Sequence, residues 1–178
     1  MPGVLRTEVG YAGGIKDAPT YHDLGAHAEV LQVEFDPSNV SYDTLLQEFW
    51  NGHEPTRSGR SSQYRSILLC ESEEELTRAQ KSAAMVEERL GRKVQTEILV
   101  GMPFTPAEDY HQKWKLRQRR QLFAELAQCF SNEEELLRSF AATKLNALVG
   151  GHLSSAQLEE IRGQLTLSAE LLELARHR

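Results

Sequence analysis

Apolar and polar side chains alternate along Val4 to Tyr11 and, more clearly, along Ala28 to Phe35, where Val33 and Phe35 share one face and Gln32 and Glu34 the other. A period of two residues predicts a strand in each place. Gly10, Gly13 and Gly14 release the backbone after the first into a loop holding Asp17, Pro19 and Tyr21, and Asp36-Pro37 ends the second as a turn. The period then lengthens. Ser41 is an N-cap ahead of Tyr42, Leu45, Leu46 and Phe49, which recur at helical spacing. Tyr64 to Cys70 reads as a third strand. A long charged helix follows from about Ser72 to Leu90, closed by Gly91, and Val94 to Val100 reads as a fourth strand that Met102-Pro103 breaks.

From about Leu116 onward the pattern is helical throughout. Leu122, Phe123, Leu126, Cys129 and Phe130 form an apolar stripe, Ser131-Asn132-Glu133-Glu134 opens a new helix, and Leu136, Leu137, Phe140, Leu145 and Leu148 continue to Gly150-Gly151. Ser154 or Ser155 caps a helix through Ile161, and Leu165 to Ala175 makes the last one. Strands interleaved with helices predict an α+β layer architecture over residues 1–115, with an amphipathic helical extension over residues 116–178.

Composition narrows the classes. In 178 residues, 40% are hydrophobic and 26% charged, which supports a core of ordinary size. A formal charge of −6 argues against a general nucleic-acid or anionic-membrane surface. No apolar run approaches the ~20 residues of a membrane span, and nothing at the start reads as a signal peptide, so a cytoplasmic location is expected. Two cysteines, Cys70 and Cys129, are too few for a disulfide scaffold.

Five separated segments occur in a telling order: Val4-Leu5-Arg6-Thr7-Glu8-Val9-Gly10-Tyr11-Ala12-Gly13-Gly14, Pro19-Thr20-Tyr21, Gly25-Ala26-His27-Ala28-Glu29-Val30, Gln63-Tyr64-Arg65-Ser66 and Ala107-Glu108-Asp109-Tyr110-His111-Gln112. Together they resemble the peptide methionine sulfoxide reductases of the A type, from Pro2 to Lys115. The resemblance implies a ferredoxin-like α/β sandwich. It also implies reduction of the S epimer of methionine sulfoxide in peptides and proteins, with thioredoxin as electron donor and no bound cofactor, and suggests a monomer.

In that family a Gly-Cys-Phe-Trp segment carrying the nucleophile precedes the part matched here. The expectation is therefore a form truncated at its start, lacking the first strand and helix of the sandwich and inactive as written. The alternative is a non-catalytic module that binds methionine sulfoxide or docks a partner protein.

In the family's reaction a thiolate attacks the sulfoxide sulfur while the oxygen is hydrogen-bonded and protonated. A carboxyl group and phenols suit that oxygen, because each donates a hydrogen bond without adding net charge. Glu29, in His-Ala-Glu-Val, falls where the family keeps its acid, and Tyr21 and Tyr64 fall where it keeps two phenols. Asp109, Tyr110 and His111 match a segment expected to support substrate binding. An aspartate that the family usually places five residues before the second tyrosine is replaced by Gly59.

Other candidates weaken on inspection. If Tyr64 and Cys70 share one extended strand, they stand about 20 Å apart, so Cys70 cannot attack a sulfur whose oxygen Tyr64 holds. Cys129, on its helix's apolar stripe, reads as a small core residue, with a resolving thiol as the family-based alternative. His22, Asp23, His27 and Glu29 match no zinc spacing, and no metal is expected. His53-Glu54-Pro55-Thr56 resembles a structural turn of the family. Lys113, Lys115, Arg117, Arg119 and Arg120 spread around a helix and read as solvated surface rather than a nucleic-acid contact.

Overall fold

The computed structural model describes residues 1, 3–59 and 61–176. Its elements follow in chain order. Strands β1 (Val4–Ala12) and β2 (Ala28–Phe35) come first, then helix α1 (Tyr42–Asn51), β3 (Ile67–Cys70), α2 (Glu73–Leu90), β4 (Glu97–Val100) and β5 (Phe104–Pro106). Helices α3 (Trp114–Gln118), α4 (Arg120–Ala127), α5 (Glu133–Leu137), α6 (Phe140–Val149), α7 (Ser155–Glu160), α8 (Arg162–Leu165) and α9 (Ala169–Arg176) complete it. The fold is mixed α/β, with two small sheets among the described residues, ordered β2-β1-β5 and β3-β4. Among the described residues no helix is long and apolar enough to cross a membrane.

The chain forms two compact units. One contains Val9–Gln32 and Asp36–Ala107. Within it, β5 runs antiparallel to β1, with Gly10 opposite Pro106 and Ala12 opposite Phe104. β3 and β4 are parallel from Ile67 opposite Glu97 to Cys70 opposite Val100, and α2 supplies the crossover that a parallel pair needs. α2 begins where Ser72 accepts a hydrogen bond from the Glu75 amide, and Glu73, Glu74 and Glu75 complement the positive end of its dipole. Gly91 ends it in the left-handed conformation at φ 63°. Ala79, Ala83 and Val86 on its inner stripe pack with Leu46 and Trp50 of α1 and with Cys70. The Trp50 indole donates to Ser82 Oγ at 2.9 Å, which satisfies its one polar atom inside that core.

The other unit contains Met1–Glu8, Val33–Phe35 and Glu108–Arg178. Its core is leucine-rich, with Leu116, Leu126, Leu136, Leu145 and Leu158 fully buried. The Leu116 amide donates to Asn146 Oδ1 at 3.0 Å, tying α3 to α6, and an Arg119 guanidinium nitrogen donates to Leu174 O at 3.1 Å on α9. Ser154 and Gln157 form a reciprocal capping box at the start of α7.

Several elements depart from the sequence pattern for identifiable reasons. The strand expected over 64–70 begins only at Ile67, because the Tyr64 amide turns back to Ser61 O at 3.2 Å. The expected strand over 94–100 is likewise shortened to Glu97–Val100, its approach diverted where the Gln95 amide donates to Pro55 O at 2.7 Å. β5 went unread because Pro103 and Pro106 bracket it, a composition that suits an edge strand. The apolar run from Leu136 to Leu148 divides into α5 and α6, since Ser139 accepts from the Ala142 amide at 3.0 Å and starts a new helix.

Two side chains reverse their expected environment. Cys129 is exposed, not a core residue: α4 ends at Ala127, so the helical spacing that aligns position 129 with Leu122 and Leu126 no longer applies. Lys113 is buried rather than solvated. It sits at φ 52°, and its ammonium donates to Thr7 O. Burial pushes its pKa down to about 8, with Glu8 opposing that shift.

Candidate functional site

Glu29 is the second residue of β2, and the segment Gln63–Ser66 lies against it. The Glu29 amide donates to Gln63 O at 3.0 Å, and Gln63 Nε2 donates to Glu29 Oε1 at 2.6 Å. One residue therefore fixes both the backbone and the carboxyl of Glu29. Tyr64 follows directly and stays 59% exposed, while Glu29 is also solvent-facing. Gly59 makes room for this arrangement. A Cβ there would stand 2.2 Å from Tyr64 O and 2.4 Å from Arg65 Cα, so the position where an acid was expected is one where this backbone path admits only glycine.

Arg65 binds two loops at once. Nη1 donates to Ala26 O and Nη2 to Gly13 O, each at 2.7 Å. Nε faces Glu97 Oε1 at 3.2 Å as an ion pair without an aligned hydrogen bond. Ser66 Oγ lies 2.9 Å from His53 Nε2 and 2.8 Å from Thr96 Oγ1. His53 Nδ1 donates to Phe49 O at 2.8 Å. The turn after His53 is closed by Glu54, whose Oε1 accepts from Thr56 Oγ1 at 2.6 Å, and these hydrogen bonds hold its carboxyl below the usual pKa.

Tyr21 sits at the tip of a tight reversal in which Thr20 and Asp23 exchange backbone hydrogen bonds of 3.2 and 3.0 Å. Its ring meets His22 edge-on at 5.4 Å, and Lys16 pairs with Asp23 across the base of the reversal. His27, 3% exposed, donates from Nε2 to Lys16 O at 3.0 Å, which ties the loop to the head of β2. The four side chains first considered together as ligands thus face different partners: His22 the Tyr21 ring, Asp23 Lys16, His27 a carbonyl and Glu29 Gln63. Among the described residues no group of three or more His, Cys, Asp or Glu side chains converges on one point.

Asp109, Tyr110 and His111 belong to the leucine-rich unit. They form a turn in which the His111 amide donates to Glu108 O at 2.9 Å and the Gln112 amide to Asp109 O at 3.1 Å. The Tyr110 and His111 rings lie 4.3 Å apart, and His111 Nε2 stands 4.0 Å from Glu108 Oε2. Cys70 is buried, with Sγ 3.6 Å from Tyr42 OH, and burial pushes its thiol pKa up.

Sequence reasoning picked Tyr64 from its segment and passed over Gln63 and Arg65 on either side. The signal was present, since both stand in the matched Gln63-Tyr64-Arg65-Ser66 motif, but their targets lie more than thirty residues away in sequence.

A family model described as peptide methionine sulfoxide reductase matches residues 1–145. A peptide methionine sulfoxide reductase of Drosophila melanogaster is 41% identical over 152 residues, which cover 84% of this chain and 60% of that protein. Peptide methionine sulfoxide reductase A5 of Oryza sativa subsp. japonica is 41% identical over 155 residues, 83% of this chain and 59% of the relative. The chain thus spans about 60% of the length of these curated relatives. Among solved structures, methionine sulfoxide reductase A of Corynebacterium diphtheriae superposes with a TM-score of 0.59 at 30% identity, over 66% of this chain and 65% of that one. Mxr1 of Saccharomyces cerevisiae in reduced form gives 0.59 at 31% identity, over 67% and 74%.

Proposed function

The chain belongs to the peptide methionine sulfoxide reductase family, and from that membership we propose that Glu29, Tyr21 and Tyr64 receive the oxygen of methionine S-sulfoxide in peptides and proteins. The observation that carries the reading is the double link between Gln63 and Glu29. With Oε1 engaged by the Gln63 side-chain amide, Oε2 is the oxygen left to meet the substrate, and a carboxyl group there can bring a proton to a sulfoxide oxygen without adding charge. The two phenols are further neutral donors. Each gains strength as the sulfur–oxygen bond breaks and charge builds on the oxygen. Thioredoxin is the reductant of the complete reaction.

Neither cysteine of this sequence is assigned as the attacking thiol. Burial keeps Cys70 in its poorly nucleophilic protonated form, and Cys129 follows α4 on an exposed turn. The 178 residues are proposed to bind the sulfoxide, as a monomer, without reducing it. Titrating the chain with the S and R epimers of N-acetylmethionine sulfoxide N-methylamide, with and without dithiothreitol, tests this. The expected result is epimer-selective binding, lost in Glu29→Gln, with no sulfide formed. Sulfide production would overturn the assignment of the thiols, and equal indifference to both epimers would overturn the site.

A further inference from the structure

Arg65 binds two loops that lie far from it in sequence. Its guanidinium bridges Gly13 O and Ala26 O at 2.7 Å each, and its side chain is 17% exposed. The loop carrying Tyr21 runs between those two carbonyls. Glu29 lies three residues beyond Ala26, and Tyr64 is the immediate chain neighbour of Arg65. One side chain thus ties together the three segments that present the proposed oxygen-binding groups. A guanidinium does this with a geometry an ammonium lacks, because its donors are fixed in a planar fork that sets both the spacing and the angle of what it bridges.

The surroundings are built for that contact. Gly13 adopts φ 76°, and a Cβ on it would stand 2.8 Å from Arg65 Nη2 and 2.5 Å from Ile67 Cδ1. Gly59 leaves space on the other side of the same segment, where a Cβ would stand 2.4 Å from Arg65 Cα. Inside the bridge the loop is closed further by the Ile15 amide donating to Gly25 O at 3.3 Å and by His27 Nε2 donating to Lys16 O. Glu97 supplies the compensating charge at 3.2 Å.

We infer that Arg65 is a positioning residue, which closes the base of the Tyr21 loop against the head of β2 so that Tyr21, Glu29 and Tyr64 address a single sulfoxide oxygen. This rests on the reading of those three groups given above. Arg65 touches no substrate itself. It acts by fixing the relative placement of donors, on which the strength of converging hydrogen bonds depends steeply.

The test uses the 178-residue chain, Arg65→Lys and the S epimer of N-acetylmethionine sulfoxide N-methylamide as probe. Lysine keeps the charge but lacks the planar two-nitrogen fork that sets the spacing and angle of the two carbonyls. Three readouts are taken: hydrogen exchange at the Ile15 and His27 amides, probe affinity, and the S=O stretching band of the bound probe. Arg65→Lys is expected to accelerate exchange at both amides by about tenfold or more, to weaken the probe by about tenfold, and to return the S=O band toward its free position. Gly13→Ala strikes the same bridge from its other end and must give the same pattern, so a misfolded Arg65→Lys does not decide the matter.

Unchanged exchange in both variants would overturn the proposal. So would faster exchange with affinity and S=O band unmoved, which would make Arg65 a loop fastener only. A parent chain that shifts neither affinity nor band would instead remove the functional reading, and the role of Arg65 with it.

Discussion

Gln63 and Glu29 hold each other twice, once through the backbone at 3.0 Å and once through their side chains at 2.6 Å, across 34 residues of sequence. The carboxyl thereby has a set orientation although it lies at the surface. Gln63→Ala leaves the backbone link and removes the side-chain one. Losing this side-chain hydrogen bond is expected to weaken S-sulfoxide binding roughly fivefold, with at most a small fall in the thermal midpoint because the pair is exposed. Calorimetric titration of Gln63→Ala against the parent chain checks this, and unaltered affinity would show that the orientation of Glu29 does not matter.

Gly59 stands where the family resemblance called for an acid. Its Cβ position is occupied by backbone, Tyr64 O at 2.2 Å and Arg65 Cα at 2.4 Å, and backbone gives way poorly. Gly59→Asp is therefore expected to cost about 1–3 kcal/mol of stability by displacing the Tyr64–Arg65 segment, and to weaken rather than improve sulfoxide binding. Urea unfolding measures the first effect. A variant as stable as the parent would mean that the loop has room the geometry denies.

The two thiols differ sharply in accessibility. Cys129 is exposed, while Cys70 is 3% exposed, beside Tyr42, with its pKa raised by burial. A brief pulse of iodoacetamide on the native chain should modify Cys129 alone, with Cys70 reacting only after denaturant is added. Peptide mass mapping reads both. Early labelling of Cys70 would show that the core joining α1, α2 and β3 opens readily.

Lys113 predicts a pH dependence. Its folded pKa, about 8, lies below the ordinary 10.5, so between those values the unfolded chain binds more protons than the native one. Stability from this group therefore rises as pH climbs from about 8 to 10.5, and below pH 8 its burial is a constant penalty. Cys70, with its pKa raised from 9.0, acts in the opposite sense above pH 9, so the wild-type slope mixes the two. The difference between the parent and Lys113→Met isolates the lysine. That difference should shift in the parent's favour from pH 8 to pH 10 by urea unfolding, and a flat difference would show that Lys113 carries its ordinary pKa.

Much of the fold was legible in the chain itself. Ala28–Phe35 alternates and is a strand between those residues, Ser41 and Ser72 cap the helices they precede, and Gly91 ends α2 in the left-handed conformation. These features are local. Period, cap and breaker act within a few residues, where backbone hydrogen bonding and side-chain spacing decide the outcome.

What only the tertiary structure decided is long-range. Tyr64 left the expected strand because its neighbours bind elsewhere: Gln63 to Glu29, Arg65 to Gly13 and Ala26, Ser66 to His53 and Thr96. Cys129 turned outward because α4 stops two residues before it, and Lys113 was drawn inside to donate to Thr7 O, 106 residues away. The sequence by itself determined the family and the local elements. The tertiary structure alone assigned Gln63, Gly59 and Arg65 their places. Hydrogen bonds to distant backbone carbonyls, and the exclusion of a Cβ by a passing chain, leave no periodic trace in the sequence.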